Sequence, residues 1–364
     1  MKDIKDYLIL ISGGGTGGPS TAPLALALAY KQINPKARFV FVGNDPFLEK
    51  ELFGDIFQRL GAEYYALPAG KWRRYFSVKN FLDIFKIIQA FFCASRLLHR
   101  LRPDLIISAG SFASVPLAWA GRLRNIKILV HQQDVRPGLA NRLMAPIATK
   151  ISVAFPKSLN DYGSCAVFIG NPSDVQQATL LDQEAIRQKF GLNKNHPFLL
   201  VTGGGRGALK LNYLFYQVLD FLPTDWQIIH QTGVDKSEDA PSREFYNAIE
   251  NISHADFKIL LSLADLVLSR AGLGIMTELS LLGKVSVLLP IPRSHQEDNA
   301  AYFQEAEAAI VLDQDKTEGK KLADILLSLW QDTNRRQSLS TKIKTMFPAK
   351  ASEQGAQIIQ DLLN

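Results

Sequence analysis

The amino-acid sequence predicts an α/β protein of two domains, each built on a doubly wound parallel sheet. Short apolar runs alternate with helix-like stretches along nearly the whole chain, which is typical of parallel sheets. Each half opens with an apolar run, a glycine-rich loop and a helical stretch, at residues 7–33 and 197–222. The chain has 364 residues, too many for one ordinary core and suited to two domains of about 150 to 180 residues.

In the first half, residues 7–11 form a predicted strand, glycines follow at 13–18, and residues 21–33 form a predicted helix. A helix that begins after a glycine loop presents unpaired N–H groups and the positive end of its dipole, so the sequence predicts an anion site here. Four further apolar runs predict buried strands with helical stretches between them: residues 38–42, 64–67, 104–108 and 127–131.

The second half repeats this order, with a strand at 197–202, a glycine loop at 203–207 and a helix at 208–222. Four later apolar runs also predict strands of a parallel sheet: residues 226–230, 265–268, 285–289 and 309–312. Two similar α/β halves imply a cleft between the domains, with both sheets facing it.

The boundary between the domains is expected in the turn-forming residues 170–174, which gives domains of residues 1–170 and 171–345. Apolar residues make up 47% of the chain and charged residues 21%, which suits two well-packed domains. Cys93 and Cys165 lie in apolar stretches without metal-ligand spacing, so we expect two reduced thiols. Four of the first six residues are charged, and this start does not resemble a signal peptide, so a cytoplasmic location is expected.

The segment 269–300 carries the densest set of candidate binding residues. Gly272 and Gly274 follow a predicted strand and precede a predicted helix that contains Glu278, whose carboxylate can accept two hydrogen bonds from a ribose diol. The alternative is that the glycines are turn residues and that Glu278 lies on a solvated face. A polar run at 295–299, one strand later, offers the donors and acceptors that sugar hydroxyls need and favours a binding site.

Four short motifs in this segment resemble the donor-binding signature of a known family: Arg270-Ala271-Gly272, Thr277-Glu278, His295-Gln296 and Asn299-Ala300. The family is the MurG family of lipid-linked N-acetylglucosaminyltransferases of peptidoglycan synthesis, which belongs to glycosyltransferase family 28. The resemblance runs from Gly13 to about residue 345 in the same order and spacing. It implies the GT-B architecture, in which a last helical piece, residues 346–364, returns to the first domain.

The resemblance implies that the second domain binds UDP-N-acetylglucosamine as the donor substrate, without a cofactor. Glu278 would then contact the ribose, Gln296 and His295 the sugar hydroxyls, and the two glycine segments the diphosphate. The family loop usually reads Gly-Gly-Ser-x-Gly-Ala, whereas Gly205 replaces the serine here and Arg206 follows it; Arg206 either supplies charge or is a solvated arginine. The expected donor-binding residues are Gly203, Gly204, Gly205, Arg206, Arg270, Gly272, Gly274, Thr277, Glu278, His295, Gln296 and Asn299.

The loop at 13–18 resembles the family's Gly-Gly-Thr-Gly-Gly-His, which serves the lipid diphosphate of the acceptor, but Pro19 occupies the histidine position. Because a proline cannot accept a proton, a general base must lie elsewhere. The expected acceptor-binding residues are Gly14, Gly15, Thr16, Gly17, Gly18, Phe112, His131 and Gln132.

Residues 131–134 resemble the family's His-Glu-Gln-Asn, with the acid moved to the fourth position, Asp134. Asp134 is either the general base or a turn residue before Pro137, and His131 either carries a proton or is a satisfied histidine at a strand end. The acceptor side differs further, since residues 110–112 read Gly-Ser-Phe instead of Gly-Gly-Tyr and Asp174 stands where an arginine is usual. The positions that resemble the family's donor site therefore keep the family residues, while those that resemble its acceptor site have changed. This difference implies a different acceptor or impaired use of the acceptor.

Basic residues concentrate between Lys71 and Arg102, where eight Lys or Arg accompany one acid, Asp83. The apolar spacing at 78–102 predicts one long amphipathic helix, which is too often interrupted by charge to span a membrane. For the helix alone, a core helix with a solvated basic face is the better explanation than contact with a membrane surface. We expect contact with the inner face of the plasma membrane through the loop before it, and no nucleic-acid partner. The loop consists of Trp72, Arg73, Arg74, Tyr75 and Phe76.

The sequence thus predicts an inverting hexosyltransferase that transfers N-acetylglucosamine from UDP-N-acetylglucosamine to a lipid-linked acceptor, lipid I. No Asp-x-Asp metal-binding motif stands out, and a metal-independent reaction is expected. Two alternatives stay open: a non-catalytic or partner-dependent subunit that binds the UDP-sugar, and a similar transferase with another acceptor.

Overall fold

The computed structural model describes residues 5–14, 18–68, 78–175, 183–204 and 207–364, except the side chains of 78–85. The described residues form two compact units, drawn from Met1–Asp174 with Pro348–Asn364 and from Val175–Phe347. The division falls at the end of the turn-forming residues 170–174.

The first unit contains a parallel sheet of seven strands in the order β3-β2-β1-β4-β5-β6-β7. Residues of β1 are all buried, as expected for a strand that helices cover on both faces. The sequence did not indicate β6 and β7, since neither contains a long apolar run. The strands are β1 (Leu8–Ser12), β2 (Arg38–Gly43), β3 (Glu63–Ala66), β4 (Leu105–Ser108), β5 (Lys127–Gln132), β6 (Lys150–Val153) and β7 (Ala166–Phe168).

Helices connect these strands and cover both faces of the sheet. The second helix shows how the sequence sets its ends: the Asp45 carboxylate accepts the N–H of Leu48 at 3.2 Å, Pro46 occupies the first turn, and Gly61 ends the helix with φ of 65°. Before the second unit the helices are α1 (Gly18–Ile33), α2 (Pro46–Leu60), α3 (Val78–Leu101), α4 (Ser114–Arg122) and α5 (Leu139–Met144).

The second unit contains a parallel sheet of six strands in the order β10-β9-β8-β11-β12-β13. Its strands are β8 (Phe198–Thr202), β9 (Gln227–Gln231), β10 (Tyr246–Ile249), β11 (Leu266–Ser269), β12 (Ser286–Leu288) and β13 (Ile310–Val311). Its helices are α6 (Gln183–Phe190), α7 (Leu209–Val218), α8 (His254–Leu263), α9 (Leu273–Leu282), α10 (His295–Glu305), α11 (Gly319–Gln331) and α12 (Thr333–Ile343).

The final helix, α13 (Ala351–Leu363), belongs to the first unit although it follows the second in the chain. It packs against α1, and Ala356 and Ile359 join the same apolar core as Leu26. A Cβ on Gly355 would overlap the Leu26 side chain, so this crossing requires glycine. In the part of the chain described above, no helix has the length and apolarity that a membrane span would need.

Candidate functional site

Three loops leave neighbouring strands of the second sheet at its carboxyl edge. In the pairing register, Thr202 at the end of β8 lies beside Ser269 at the end of β11, and Ser269 lies beside Leu288 at the end of β12. The strand order reverses between β8 and β11, because β9 and β10 extend the sheet on one side and β12 and β13 on the other. Parallel α/β sheets bind ligands at the carboxyl ends of strands at such a reversal. The fold thus brings the predicted glycine segments together.

The loop after β8 closes on itself. The N–H of Gly204 donates to Thr202 Oγ1 at 3.0 Å, and the N–H of Gly207 donates to the carbonyl of Gly204 at 2.7 Å. Gly207 has φ of 65°, and a Cβ there would overlap the carbonyl oxygen of Thr232. Gly205 and Arg206 lie outside the described residues. The N–H groups of Gly204 and Gly207 are therefore bonded within the protein, and the expectation that this loop holds a diphosphate stays a prediction.

The loop after β11 leads into the N-terminus of α9. Gly272 is the N-cap and provides no side-chain cap, and the first hydrogen bond within the helix runs from the N–H of Met276 to Gly272 O at 3.1 Å. The preceding N–H groups of the first turn have no partner within the helix, by the geometry of any α-helix. Because the positive end of the helix dipole coincides with these donors, this turn favours an anion.

Arg270 lies at the same turn as a buried cation. Its side chain is 7% exposed, Nη1 donates to the carbonyl of Leu289 at 2.9 Å, and Nε has no hydrogen-bond partner. Burial lowers the pKa of Arg270 to about 10, so the guanidinium remains charged at neutral pH. Among the described residues, no carboxylate forms an ion pair with it. A buried charge without a counter-ion is unfavourable until an anion reaches it.

Gln296, at the start of α10, extends over the Gly272 turn. The N–H of Ile291 donates to Gln296 Oε1 at 3.1 Å, which leaves Nε2 directed towards the turn, 4.0 Å from where a Cβ on Gly272 would lie. Ser294 caps the helix through its hydroxyl, which accepts the N–H of Gln296 at 3.2 Å. The loop after β12 thus adds a fixed carboxamide donor to the two glycine turns.

The other predicted donor residues differ in exposure. His295 is exposed and Gly203 and Gly274 are half-buried, while Glu278 is 8% exposed in the second turn of α9. Thr277 is fully buried, and its hydroxyl donates to the carbonyl of Leu273 at 2.8 Å. Asn299 is also fully buried. Both side chains face the protein interior, and contact of Thr277 and Asn299 with the donor stays a prediction.

In the first unit, hydrogen bonds within the protein occupy the described start of the glycine loop. The N–H of Gly13 donates to Val42 O at 3.2 Å, and the N–H of Gly14 donates to Ser20 Oγ at 3.3 Å. The hydroxyl of Ser111 donates to Gly13 O at 3.0 Å and joins this loop to the loop after β4. Gly15, Thr16 and Gly17 lie outside the described residues, and Gly18 begins α1 as an exposed residue.

The polar residues at the end of β5 are buried. His131 is fully buried, with Nδ1 2.9 Å from Ser152 Oγ and Nε2 3.0 Å from Asn171 Oδ1. Burial lowers its pKa to about 4, so the ring is neutral at physiological pH. Gln132 is 1% exposed, and its Nε2 donates to the carbonyl of Asp134 at 2.7 Å. His131 and Gln132 therefore hold the loop from inside, and their contact with the acceptor stays a prediction.

Comparisons with known proteins identify the family of this chain. The model of the glycosyltransferase family 28 N-terminal domain matches residues 9–153, and that of the C-terminal domain matches residues 198–355. A UDP-N-acetylglucosamine--N-acetylmuramyl-(pentapeptide) pyrophosphoryl-undecaprenol N-acetylglucosamine transferase of Clostridium botulinum (strain Loch Maree / Type A3) is 33% identical over 332 residues, which cover 90% of this chain and 92% of the relative. The chain belongs to glycosyltransferase family 28. It is therefore a hexosyltransferase.

A relative from Clostridium perfringens (strain SM101 / Type A) bears the same name and is 31% identical, with coverage of 93% of this chain and 94% of the relative. The crystal structure of Acinetobacter baumannii MurG superposes with a TM-score of 0.70 at 23% identity and covers 98% of this chain and 99% of that chain. UDP-GlcNAc 2-epimerase from Neisseria meningitidis bound to UDP-GlcNAc gives a TM-score of 0.73 at 14% identity, covering 98% and 99%. These likenesses confirm the GT-B fold.

Of the residues predicted to bind the acceptor, few of those that the structure describes are accessible. Phe112 and Asp134 are partly exposed, in the loops after β4 and β5. Sequence reasoning missed Asn141, which is 4% exposed and whose Oδ1 has no hydrogen-bond partner. A Cβ on Gly110, where φ is 96°, would lie 2.5 Å from this oxygen. No pattern in the sequence singles out Asn141, because its environment depends on how α5 packs against the loop after β4.

The expectation that the chain has no Asp-x-Asp triplet is wrong, since residues 313–315 read Asp-Gln-Asp. Asp313 pairs with Lys316 at 3.2 Å, and Asp315 pairs with Lys210 at 3.2 Å. Both carboxylates are exposed and already bonded to lysines. Within the described ranges no group of three or more His, Cys, Asp or Glu could hold a metal ion. Cys93 and Cys165 are both exposed, although their sequence surroundings are apolar.

Proposed function

We propose that this family 28 chain transfers N-acetylglucosamine, with inversion, from UDP-N-acetylglucosamine to the lipid-linked acceptor of peptidoglycan synthesis, lipid I (undecaprenyl-diphospho-MurNAc-pentapeptide). The relatives of this family bear the name of that activity. The observation that carries the proposal is the buried Arg270, a cation without a counter-ion at the N-terminus of α9 and at the strand reversal of the second sheet. A nucleoside diphosphate supplies the missing negative charge.

The donor is held by the second unit. Its diphosphate lies at the first turn of α9, where the helix N–H groups and Arg270 stabilise the charge that develops on UDP as it leaves, without a metal ion. Gln296 Nε2 donates to a sugar hydroxyl, and its fixed orientation supports this role. Glu278 accepts hydrogen bonds from the ribose hydroxyls. N-Acetylglucosamine and uracil, as opposed to other sugars and bases, follow from the relatives alone.

The acceptor hydroxyl attacks the anomeric carbon on the face opposite UDP. A new carbon–oxygen bond forms as the bond to the diphosphate breaks, and the hydroxyl proton passes to a base. Asp134 is the proposed base, because Pro19 cannot accept a proton and His131 is fully buried. Asp134 is partly exposed, and the bond from Gln132 to its carbonyl supports a fixed position for its loop.

The enzyme acts in the cytoplasm at the inner face of the plasma membrane. The proposed contact is the loop of residues 72–76, which lies outside the described residues. Exposed apolar side chains on the following helix, Ile88 and Phe92, support an apolar surface in this region. Co-sedimentation with anionic vesicles, compared with zwitterionic ones, tests the contact; equal recovery of wild type and Trp72→Ala with anionic vesicles would contradict it.

A second candidate is a subunit that binds the UDP-sugar without turnover. It is favoured by the loss of the loop histidine to Pro19 together with the neutral, buried His131. A third possibility is a transferase with another acceptor, which the altered residues at 110–112 favour.

Release of UDP separates these candidates. Under the main proposal, wild type releases UDP from UDP-N-acetylglucosamine when a lipid I analogue is present and not when it is omitted. Thermal stabilisation by UDP without release, over a range of acceptors, would favour the binding subunit. The change Gln296→Ala should abolish discrimination between UDP-N-acetylglucosamine and UDP-N-acetylgalactosamine, and an unchanged preference would contradict the assigned sugar site.

A further inference from the structure

Two buried polar side chains, Thr202 and Gln231, lie beneath the loop after β8. Thr202 Oγ1 donates to Gln231 Oε1 at 2.9 Å and accepts the N–H of Gly204 at 3.0 Å. Thr202 is 2% exposed and Gln231 is 5% exposed, so neither side chain is available to a ligand. The Thr202 and Gln231 side chains therefore support the loop from inside, and among the described residues the loop is the only element that they are seen to hold.

This loop is conformationally demanding. Gly204 has φ of 86° and Gly207 has φ of 65°, in the left-handed region that glycine adopts without a Cβ penalty. Glycine backbones lose more conformational entropy on ordering than other residues, so an unsupported loop of this composition samples many shapes. The hydrogen bond from the Gly204 N–H to Thr202 Oγ1 fixes the backbone of Gly204, at the described start of this loop.

A second set of bonds ties α7 to the same place. Asn212 Nδ2 donates to the carbonyl of Thr232 at 3.0 Å, and this carbonyl faces Gly207. Asn212 Oδ1 lies 3.1 Å from His230 Nε2, and His230 Nδ1 lies 2.9 Å from the Tyr246 hydroxyl. Burial lowers the pKa of His230 to about 3, so these bonds do not change with protonation near neutral pH. Gly207 and the start of α7 thus both pack against the residue that follows β9.

We propose that Thr202 is a positioning residue for the donor diphosphate. Its hydroxyl, oriented by Gln231, turns the N–H of Gly204 inward and fixes the Gly204 backbone at the edge where the end of β8 lies beside the end of β11. A diphosphate at this edge then meets a backbone that is already ordered at Gly204, and the cost of ordering that glycine is not subtracted from its affinity. This inference goes together with the proposed UDP-sugar donor, on which it depends.

The isosteric change Thr202→Val removes the hydroxyl, and Thr202→Ser keeps it. We expect Thr202→Val to bind UDP about tenfold more weakly by calorimetry, the effect of one lost hydrogen bond and a less ordered loop. The KM for UDP-N-acetylglucosamine should rise by a similar factor while the KM for the lipid acceptor stays unchanged, and Thr202→Ser should restore both. Thr149→Val is the control, since the Thr149 hydroxyl also accepts a backbone N–H, that of Ile128, in the first unit.

Equal UDP affinity of Thr202→Val and wild type, even with a lower melting temperature, would overturn the positioning role and leave the proposed function intact. Failure of wild type to bind UDP would instead overturn the proposed function and the inference with it. Should Thr202→Val not fold, Gln231→Leu provides the second test, because it leaves the threonine hydroxyl without its acceptor. An unchanged UDP affinity in Gln231→Leu would likewise overturn the inference.

Discussion

The two units share an architecture but differ in the hydrogen bonding of their polar groups at the strand reversal. In the second unit, Arg270 keeps a buried nitrogen without a partner beside the open first turn of α9. In the first unit, hydroxyls at the corresponding edge bond to one another: Ser12 Oγ lies 2.8 Å from Ser114 Oγ, which lies 2.7 Å from Ser111 Oγ. The same fold therefore provides one edge with unsatisfied positive charge and one whose described polar groups are largely satisfied. An anion is expected at the former, while recognition at the latter depends on a few accessible groups.

Removal of the proposed base, Asp134 in the first unit, should have the largest effect on the transfer rate. Asp134→Asn should reduce the transfer rate by about 100-fold or more, because a positioned base contributes that much, and should leave UDP affinity unchanged. Single-turnover transfer and UDP calorimetry measure the two quantities. Asp161→Asn is the matched control, at another acid of the first unit. Full transfer activity of Asp134→Asn would place the base elsewhere.

Replacement of the buried cation, Arg270, by a neutral residue tests whether an anion binds at the carboxyl edge of the second sheet. Arg270→Met should weaken UDP binding by about 30-fold, the effect of lost hydrogen bonds to a charged ligand. The melting temperature of the unliganded variant should not fall, because an unpaired buried charge is replaced by an apolar chain of similar length. Arg335→Met, at an exposed position of α12, should change neither value. A large loss of stability without a loss of UDP affinity would contradict the assigned role.

Each unit contains one buried neutral histidine, which predicts a shared sensitivity to acid. The pKa values of His131 and His230 are about 4 and about 3, both below the value of about 6.5 in an unfolded chain. Between the pKa values of the folded and the unfolded state, the unfolded state binds more protons than the folded state. The free energy of unfolding is therefore greatest above pH 6.5 and falls as the pH decreases. We expect each histidine to lower the free energy of unfolding by about 2 kcal/mol between pH 7 and pH 5.

Urea denaturation at both pH values measures this change. His131→Gln and His230→Gln should each reduce the difference between the two pH values, whereas His99→Gln, at an exposed position, should not. The same dependence on pH in all three variants would exclude the buried histidines as its source.

Restoring the family histidine gives the smallest expected effect and the sharpest test of the second candidate. Under the main proposal Pro19→His changes the transfer rate by less than about threefold, because Asp134 already serves as the base. A gain of about 100-fold would show that the natural chain lacks a base and would favour the binding subunit. UDP affinity should stay unchanged in either case, since Pro19 belongs to the first unit.

The sequence anticipated most of the fold because the signals are local. The apolar run at 197–202 and the glycines after it locate β8 (Phe198–Thr202) within one residue. The strands β6, β7 and β10 escaped notice, since their short or mixed sequences become strands through pairing with neighbours. For the candidate site, Arg270 and Gly272 follow β11 and Gln296 lies at the start of α10, and their binding roles stay predictions. Nothing in the sequence indicated the unpaired oxygen of Asn141.

The sequence by itself determined the order of strand, glycine turn and helix in both halves, the absence of a proton acceptor at Pro19 and the family to which the chain belongs. Only the tertiary structure decided which polar groups face inward. His131, Thr277 and Asn299 fit a binding motif in the sequence yet are buried, whereas Arg270 is buried without a counter-ion. Burial and pairing depend on segments far apart in the chain that pack around each residue, and no local pattern contains that information.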